Sequence, residues 1–313
     1  MSQNTFLPNF FILGAAKCGT TTLYAYLENM PDICMSRSKE PFFFEAEFEK
    51  GLDFYRKKYF AHWKGEPVIG DARHRNLYLP YVPHRIHQIN PDAKLLVILR
   101  NPVDRALSHW HHRCYHKVET LPFEEAIQED FKRIEKGLQY NKSEEIAKHA
   151  QAVLDPSIKG SEGLYRTFLD SGYYYEQIQR YLRLFPMENL KVVLLEDLSA
   201  RSEEIINDLV AYLELNPLRN RFSHIIFENA ARLLVNKRSA RYRMWKLAKS
   251  FQKRGLLPAR IWQGLKSRLE PKAKKDEDRP RMDAQMRSWL KNHYQEHNMK
   301  LGEFLNRDLS HWV

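Results

Sequence analysis

The chain has 313 residues and a formal net charge of +11, and this length allows one large α/β domain with a sizeable core. No linker rich in Pro, Gly or Ser and no internal repeat divides it, so we predict a single domain over residues 1–313. No apolar run reaches the length of a membrane span, and we expect no signal peptide because the first predicted strand starts within ten residues of Met1. The three cysteines form neither a disulfide framework nor a metal cluster. We therefore expect a cytoplasmic setting, with a catalytic domain trimmed from a Golgi-lumenal protein as the alternative.

The first motif in chain order predicts a phosphate site. Residues 10–13 form an apolar run typical of a buried parallel strand, and apolar residues at helical spacing resume at Leu23. Between them lies the glycine-bounded loop GAAKCGTTT, residues 14–22, which carries one lysine and three threonines. A loop between a strand and a helix directs backbone N–H groups and a helix N-terminus at one point. We therefore predict that this loop binds a phosphate.

The same loop departs from the nucleoside-triphosphate signature, which requires Gly-x-x-x-x-Gly-Lys-Ser/Thr. Thr20 rather than a lysine follows Gly19, and the loop lysine, Lys17, lies two positions before that glycine. The usual grip on the β- and γ-phosphates is therefore missing. We predict a nucleotide with a single 5′-phosphate and a different group beyond it.

Residues 38–44, SKEPFFF, place two charged residues before three aromatic ones. Pro41 disfavours helical geometry at Glu40, and successive aromatic residues suit an extended segment that lines a pocket wall. A carboxylate beside apolar rings tends to have a raised pKa, which suits a general base near neutral pH. On residue types alone, a surface pair of Lys39 and Glu40 ahead of a core strand is the more ordinary interpretation.

Residues 94–99, KLLVIL, form the clearest buried strand of the chain, and Arg100 leaves its carboxyl end. Open α/β sheets bind ligands at that edge. Asn101 is a favourable N-cap and Pro102 a favourable first helical residue, which places Ser108 about two turns along the following helix. An arginine fork with a hydroxyl is a good cradle for a terminal phosphate dianion.

These motifs, in this order, resemble the sulfotransferases that use 3′-phosphoadenosine 5′-phosphosulfate (PAPS). Residues 14–22 resemble the 5′-phosphosulfate loop, residues 39–44 the Lys-Glu-x-x-Phe-Phe motif of the carbohydrate and heparan sulfate sulfotransferases, and residues 100–108 the 3′-phosphate motif. The resemblance implies a single α/β domain with a P-loop-like fold, in which helices flank a central parallel β-sheet. It also implies PAPS as co-substrate, no metal, and a hydroxyl-bearing acceptor such as a carbohydrate, a glycolipid or another alcohol, with an amine as the less favoured alternative.

The resemblance also implies roles for particular residues. Glu40 takes the proton of the acceptor hydroxyl, Lys39 lies near the transferring sulfonate, and Lys17 stabilises the leaving 5′-phosphate. A Gly-Tyr helix entry near the adenine and 3′-phosphate points to Tyr173, and a basic loop over the nucleotide points to Lys237 or Arg238. The implied nucleotide-binding residues are Lys17, Cys18, Gly19, Thr20, Thr21, Thr22, Arg100, Ser108, Tyr173, Lys237 and Arg238.

Two further stretches bear on the site. Family members usually follow the acid of the third strand with a Ser/Thr-Pro turn, whereas Asp71 is followed here by ARHRN, residues 72–76, and we interpret this as variation of the acceptor pocket. Four histidines lie close together after Ser108, but no Cys or acid completes a metal site among them. We assign these residues to a solvated helix face or to acceptor contact: His109, His111, His112 and His116.

The positive charge is concentrated in residues 232–275, which hold fifteen Lys or Arg and a single acid, Glu270. The pattern is helical and amphipathic, so we predict a basic helical segment within the domain. Such a local field attracts an anionic partner, and three interpretations stay open: an acidic acceptor polymer, an anionic membrane surface, or a solvated face. We expect no nucleic-acid partner.

Two other functions compete with sulfonate transfer. A P-loop kinase or NTPase would fit a similar fold, but it requires the Gly-Lys-Ser/Thr sequence that this loop lacks. A non-catalytic module that binds polyanions through residues 232–275 is the second alternative. In isothermal titration, a preference for ATP-Mg over 3′-phosphoadenosine 5′-phosphate would favour the kinase. The polyanion module predicts that Glu40→Gln leaves function intact, whereas the enzyme predicts a collapse of turnover with nucleotide binding kept.

Overall fold

A computed structural model describes residues 6–155, 157, 164–220, 244 and 282–312. The chain divides into two compact units, Met1–Ile225 with Met282–Val313, and Ile226–Arg281. The predicted basic segment 232–275, including Lys237 and Arg238, lies outside the described residues apart from Met244, which is exposed. Its inclusion in the same domain therefore stays a prediction.

The first unit is an α/β domain built on a five-stranded sheet whose strands are all parallel. The strand order is β2-β3-β1-β4-β5. Apolar runs form these strands because the sheet is buried on both faces, and every residue of β1 is buried. The strands are β1 (Phe10–Gly14), β2 (Ile33–Met35), β3 (Val68–Ala72), β4 (Lys94–Leu99) and β5 (Leu190–Leu194).

Helices connect the strands and cover the sheet. Within the described residues they are α1 (Thr20–Leu27), α2 (Gly51–Tyr59), α3 (Val82–Ile89), α4 (Pro102–Tyr115), α5 (Phe123–Glu135), α6 (Ser143–Leu154), α7 (Tyr174–Leu182), α8 (Leu195–Ala200), α9 (Ser202–Tyr212) and α10 (Ala284–Leu305). Short 3₁₀ turns lie at Phe48–Lys50, Asp170–Gly172, Met187–Asn189 and Ser310–Trp312. The predicted fold class and the predicted strands at residues 10–13 and 94–99 are confirmed.

The sheet topology explains why four separate loops meet. Parallel strands place their carboxyl ends at one edge of the sheet. β2 and β3 lie on one side of β1, and β4 and β5 lie on the other, so the topological switch point is at β1. The segments that leave β1, β2, β3 and β4 at this edge are residues 15–19, 36–42, 73–76 and 100–101. They contain the predicted site residues that follow each strand.

The prediction of an extended segment over the three phenylalanines is wrong. Residues Phe43–Glu47 form a π-helical turn, in which the N–H groups of Ala46 and Glu47 donate to the carbonyl of Phe42 at 2.7 and 3.2 Å. Phe43 and Phe44 are buried, and the ring of Phe43 stacks on that of Tyr55 with centroids 4.2 Å apart. Burial of both rings stabilises the turn more than an extended backbone with exposed rings would. These two rings therefore belong to the core and do not line a pocket wall.

Candidate active site

The loop after β1 has the geometry of an anion-binding turn. Gly19 adopts φ +92° and caps α1, and a Cβ there would lie 2.8 Å from Leu195 Cδ1. Lys17 also has a left-handed backbone, with φ +69°. Because α1 begins at Thr20, directly after this turn, the N–H groups of the helix start lie next to the loop. Thr20 and Thr22 are buried, whereas Thr21 is half-buried.

Lys17 is the charged residue of this loop and is half-buried. Burial lowers the pKa of Lys17 to about 8; the positive charges of Lys39 and Arg100 add to this effect and the carboxylate of Glu40 opposes it. The side chain therefore lies within electrostatic range of both other predicted parts of the site. A cation held next to two others is favourable for binding an anion among them.

The Cys18 side chain lies away from any ligand-accessible surface. It is fully buried, with Sγ 3.6 Å from the carbonyl oxygen of Ala16 and 3.8 Å from the hydroxyl of Tyr174. Burial raises the pKa of the thiol to about 11, so it stays protonated and unreactive. The predicted nucleotide contact of Cys18 therefore concerns the loop backbone and not the sulfur.

Glu40 lies among cations at the end of the segment that follows β2. Its Oε1 accepts a hydrogen bond from Lys39 Nζ at 2.8 Å and lies 2.8 Å from His74 Nδ1. Its Oε2 lies 3.4 Å from a terminal nitrogen of Arg73. The backbone of Glu40 is left-handed, with φ +68°, which agrees with the prediction that Pro41 disfavours a helix there.

The predicted upward shift of the Glu40 pKa is wrong. Burial alone would raise it, but the combined effect of His74, Lys39 and Arg73 holds the pKa well below the usual range. The expected apolar surroundings are absent because Phe43 and Phe44 turn into the core. The ring of Phe42 contacts the Arg73 guanidinium, whose Cζ lies 4.5 Å from the ring centroid. Glu40 is therefore ionised at neutral pH.

A second carboxylate, Glu45, pairs with the same arginine that contacts Glu40. It is fully buried and pairs with Arg73, lies 3.8 Å from Arg75 Nε, and is 2.6 Å from His149 Nε2 on α6. This network fixes the stretch that departs from the family pattern after Asp71. Sequence reasoning did not include Glu45 or His149, because their partners lie 28 and 104 positions away in the chain.

The other predicted anion site lies where β4 meets α4. The Asn101 side chain caps α4 by accepting a hydrogen bond from the Val103 N–H at 2.9 Å, as predicted. The carbonyl of Arg100 accepts a hydrogen bond from the Tyr174 hydroxyl at 2.9 Å. Arg100 and Ser108 both have half-buried side chains. The arrangement leaves Arg100 at the sheet edge that also carries Lys17, with Ser108 further along α4.

Tyr173 lies between this edge and the closing helix α10. Its hydroxyl is 2.8 Å from His293 Nε2, and its ring stacks on His297 with centroids 4.0 Å apart and an interplanar angle of 11°. These contacts hold the ring against α10. A contact of Tyr173 with a nucleotide stays a prediction.

The histidines of α4 do not share one environment. The prediction of a solvated face is wrong for His109, which is buried against Phe168 with ring centroids 5.1 Å apart. His112 is half-buried, and burial together with Lys17 lowers its pKa to about 3, so it is neutral. His112 therefore lies in the electrostatic environment of Lys17 and Glu40, and its contact with an acceptor stays a prediction. Among the described residues, no group of three His, Cys, Asp or Glu is arranged to hold a metal ion.

The fold and the site together define a parallel α/β protein with an anion-binding loop after its first strand and a carboxylate among cations beside it. The sequence matches the sulfotransferase domain family over residues 7–302. The chain belongs to the sulfotransferase domain family.

Known relatives agree with this family. Membrane-associated sulfotransferase kil1 of Dictyostelium discoideum is 26% identical over 267 residues, which cover 67% of this chain and 56% of that protein. Bifunctional heparan sulfate N-deacetylase/N-sulfotransferase 2 of Bos taurus is 26% identical over 315 residues, which cover 96% of this chain and 30% of that protein. The chain thus spans about half, or less, of the length of these relatives.

A solved structure supports the fold. The crystal structure of a sulfotransferase from Alicyclobacillus acidocaldarius aligns with a TM-score of 0.65 and 26% identity, and the alignment covers 98% of this chain and 99% of that one. In the part of the chain that the structure describes, no helix combines the length and the apolar character that a membrane crossing requires. The cytoplasmic setting and its Golgi-lumenal alternative stay predictions.

Proposed function

We propose that this protein transfers a sulfonate group from PAPS to a hydroxyl of a carbohydrate, glycolipid or other alcohol. The observation that carries the proposal is the position of Glu40: an ionised carboxylate within electrostatic range of the phosphate-loop lysine, in a chain of the sulfotransferase domain family. Two relatives whose names include heparan sulfate support a carbohydrate acceptor.

The residues divide into two groups by their proposed partner. On the donor side, the loop 14–22 with Lys17 holds the 5′-phosphosulfate of PAPS, and Arg100 with Ser108 holds the 3′-phosphate. On the acceptor side, Glu40 faces the hydroxyl, with Lys39, Arg73 and His74 around it. The residues present suit a nucleotide that is anionic at both ends, because a helix start would meet one end and an arginine guanidinium the other.

The proposed reaction is an in-line displacement at sulfur. The acceptor oxygen forms a bond to sulfur, the bond between sulfur and the 5′-phosphate oxygen breaks, and the hydroxyl proton passes to Glu40. 3′-Phosphoadenosine 5′-phosphate (PAP) leaves. Lys17 and the loop N–H groups stabilise the charge that develops on the leaving phosphate, in the way that fixed donors stabilise phosphoryl transfer.

The cations around Glu40 have two opposing effects on this step. They keep the carboxylate ionised, so it is always in the form that accepts a proton. They also weaken it as a base, since a lower pKa reduces the driving force for proton transfer. The proposed role of Glu40 therefore depends on close placement of the acceptor hydroxyl, which proximity and orientation can supply.

The decisive experiment is the substitution Glu40→Gln, which keeps the shape of the side chain and removes its basicity. We expect turnover to fall by about two to four orders of magnitude, the usual contribution of a general base, while PAP affinity measured by isothermal titration is unchanged. Turnover is measured with labelled PAPS and a panel of desulfated heparan sulfate, a galactosyl glycolipid and a long-chain alcohol.

The same measurements separate the alternatives. Tighter binding of Mg-ATP than of PAP would favour a P-loop kinase or NTPase. The polyanion-binding module would be favoured if Glu40→Gln binds heparin as the unaltered protein does and neither protein transfers sulfonate. The enzyme proposal fails if unaltered protein transfers no sulfonate to any member of the panel.

A further inference from the structure

His74 is a residue of the acceptor side to which the proposed reaction assigns no step. Its Nδ1 lies 2.8 Å from Glu40 Oε1, and the two side chains have similar exposed fractions, 26% and 27%. Both are therefore reachable from the site. The contact is a charge-assisted hydrogen bond in which the imidazole N–H donates to the carboxylate, the stronger class of hydrogen bond.

The hydrogen bonds of Glu40 distinguish its two oxygens. Oε1 has two close partners, Lys39 Nζ and His74 Nδ1, both at 2.8 Å. Oε2 has Arg73 at the longer distance of 3.4 Å. Since each carboxylate oxygen accepts about two hydrogen bonds, Oε1 is fully occupied and Oε2 keeps room for the proton of an acceptor hydroxyl. His74 thus helps decide which oxygen accepts that proton.

The charged groups that face His74 come from three elements. Glu40 approaches from the segment after β2, and Arg73 and Arg75 flank it on its own segment. From α4, His109 and His112 interact with it electrostatically. Glu40 is the acidic group of this set and favours a second proton on the imidazole, whereas the positive charges of Arg73 and Arg75 disfavour it. Burial acts in the same direction, and the pKa of His74 is lowered.

A neutral His74 has one N–H, and the contact with Glu40 requires that it be on Nδ1. If the ring gains a proton on Nε2 at lower pH, the hydrogen bond becomes a full ion pair. The added charge then stabilises the Glu40 carboxylate further and weakens it as a base. Glu40 itself would still be ionised, so its own titration would not cause the change.

We propose that His74 is a positioning residue for Glu40: its Nδ1–H holds Oε1 so that Oε2 meets the acceptor hydroxyl, and its protonation suppresses proton transfer to Glu40. The inference depends on the proposed role of Glu40 as general base. We infer in addition that kcat/KM falls at acidic pH because His74 gains a proton, and not because Glu40 does.

Two substitutions separate the hydrogen bond from the titration. In His74→Asn the amide nitrogen takes the place of Nδ1 and can donate to Glu40, but it never gains a charge. In His74→Gln the amide nitrogen takes the place of Nε2, and the donor to Glu40 is lost. His84→Asn, an exposed histidine on α3, is the matched control.

The measurement is kcat/KM from pH 5 to 8 with labelled PAPS and the panel acceptor that gives the highest turnover. We expect His74→Asn to stay within about threefold of the unaltered protein at pH 8 and to lose the acidic fall of the profile. We expect His74→Gln to lose about tenfold or more at pH 8, the effect of one hydrogen bond to a charged group. PAP affinity stays the same in all three variants.

An acidic fall that is unchanged in His74→Asn would overturn the inference, and so would equal losses in the Asn and Gln variants. A measurement on the unaltered protein tests it without any change of fold. In a nitrogen NMR spectrum, His74 should be the Nδ1–H tautomer at pH 7.5, and an Nε2–H tautomer contradicts the proposal. Failure of the proposed function has different signatures: the unaltered protein transfers no sulfonate to any acceptor, or, if only the role of Glu40 is wrong, Glu40→Gln retains turnover whatever the His74 variants do.

Discussion

On the donor side, Lys17 and Arg100 are half-buried cations that follow the carboxyl ends of the neighbouring strands β1 and β4. On the acceptor side, Glu40 is held by Lys39, Arg73 and His74, and the fully buried Glu45 holds that group in turn. The donor side uses local backbone geometry to bind a charge that arrives with the ligand. The acceptor side compensates its own charges before any ligand is present.

This difference predicts that substitutions on the two sides affect different properties of the protein. Removing a donor-side cation relieves repulsion in the free protein and should affect ligand binding and rate. Removing an acceptor-side charge leaves a buried partner uncompensated, and it should affect stability as well. Four measurements can test this contrast, from the largest expected effect to the smallest.

Glu45→Gln should have the largest effect because it removes the anion between two buried arginines, Arg73 and Arg75. Breaking a buried pair by removing one partner costs about 3–5 kcal/mol, and we expect a loss of that size in the free energy of unfolding measured with urea. Glu144→Gln, which breaks the exposed pair with Lys148 on α6, should leave the unfolding curve unchanged. A loss under about 1 kcal/mol for Glu45→Gln would mean that the acceptor side is not held by charge compensation.

Lys17→Met should reduce the rate and leave stability unchanged. The loss of one fixed group that stabilises a leaving oxyanion costs about two to three orders of magnitude in rate, which a single-turnover assay with labelled PAPS would measure. The pKa of Lys17 is already lowered to about 8 by burial, so removal of this charge should not destabilise the fold. Lys148→Met, on the exposed face of α6, is the control. A large loss of stability in Lys17→Met would contradict the contrast between the two sides.

Arg100→Met should weaken the binding of PAP by about ten- to a hundredfold, the usual value for hydrogen bonds to a charged group. Adenosine 5′-phosphosulfate, which lacks the 3′-phosphate, should bind both proteins with nearly the same affinity. Isothermal titration with the two nucleotides measures the difference. Equal weakening for both nucleotides would show that Arg100 does not read the 3′-phosphate, and Ser108→Ala should show the same selectivity with a smaller loss.

The smallest effect is a pH dependence of stability at Asp71, on the strand that leads to Arg73. Burial raises the pKa of Asp71 to about 7, although the Tyr55 hydroxyl donates to it. A carboxyl whose pKa is raised in the folded state binds its proton more tightly there, so its contribution to stability is lost as the pH rises towards that pKa. Between pH 6 and 8 we expect a loss of about 1.4 kcal/mol from this group.

Asp71→Asn tests that expectation, because an amide resembles the protonated carboxyl and does not titrate. Urea unfolding at pH 6 and pH 8 should show the loss in the unaltered protein and not in the variant. The same slope in both proteins would assign the pH dependence to other groups. Glu144→Gln again serves as a control, since its exposed pair contributes nothing that depends on tertiary burial.

Local sequence patterns predicted the parts of the protein that depend on neighbours along the chain. The apolar runs of β1 and β4, the glycine turn at Gly19 and the cap at Asn101 were all recognisable because a strand, a turn or a helix start forms within a few residues. The family motifs lie on these same elements. The donor side could therefore be proposed residue by residue, and its contacts with a nucleotide stay predictions.

The acceptor side was predicted less well because its energetics depend on residues far apart in the chain. Three aromatic residues suggested an apolar setting for Glu40, but the π-helical turn at Phe43–Glu47 takes two of the rings into the core. Polar partners from 33 and 34 positions away, Arg73 and His74, surround Glu40 instead. The direction of the Glu40 pKa shift follows from these distant partners together with the adjacent Lys39.

The amino-acid sequence by itself determined the parallel α/β fold, the family and the order of the motifs, because hydrophobic periodicity and turn chemistry act over short stretches. Only the tertiary structure decided that Glu40 lies among cations, that Glu45 and His149 support it, and that His109 is buried. The physical reason is that electrostatic interactions depend on distance and burial in space. Pairs separated by dozens of residues leave no periodic signal in the sequence.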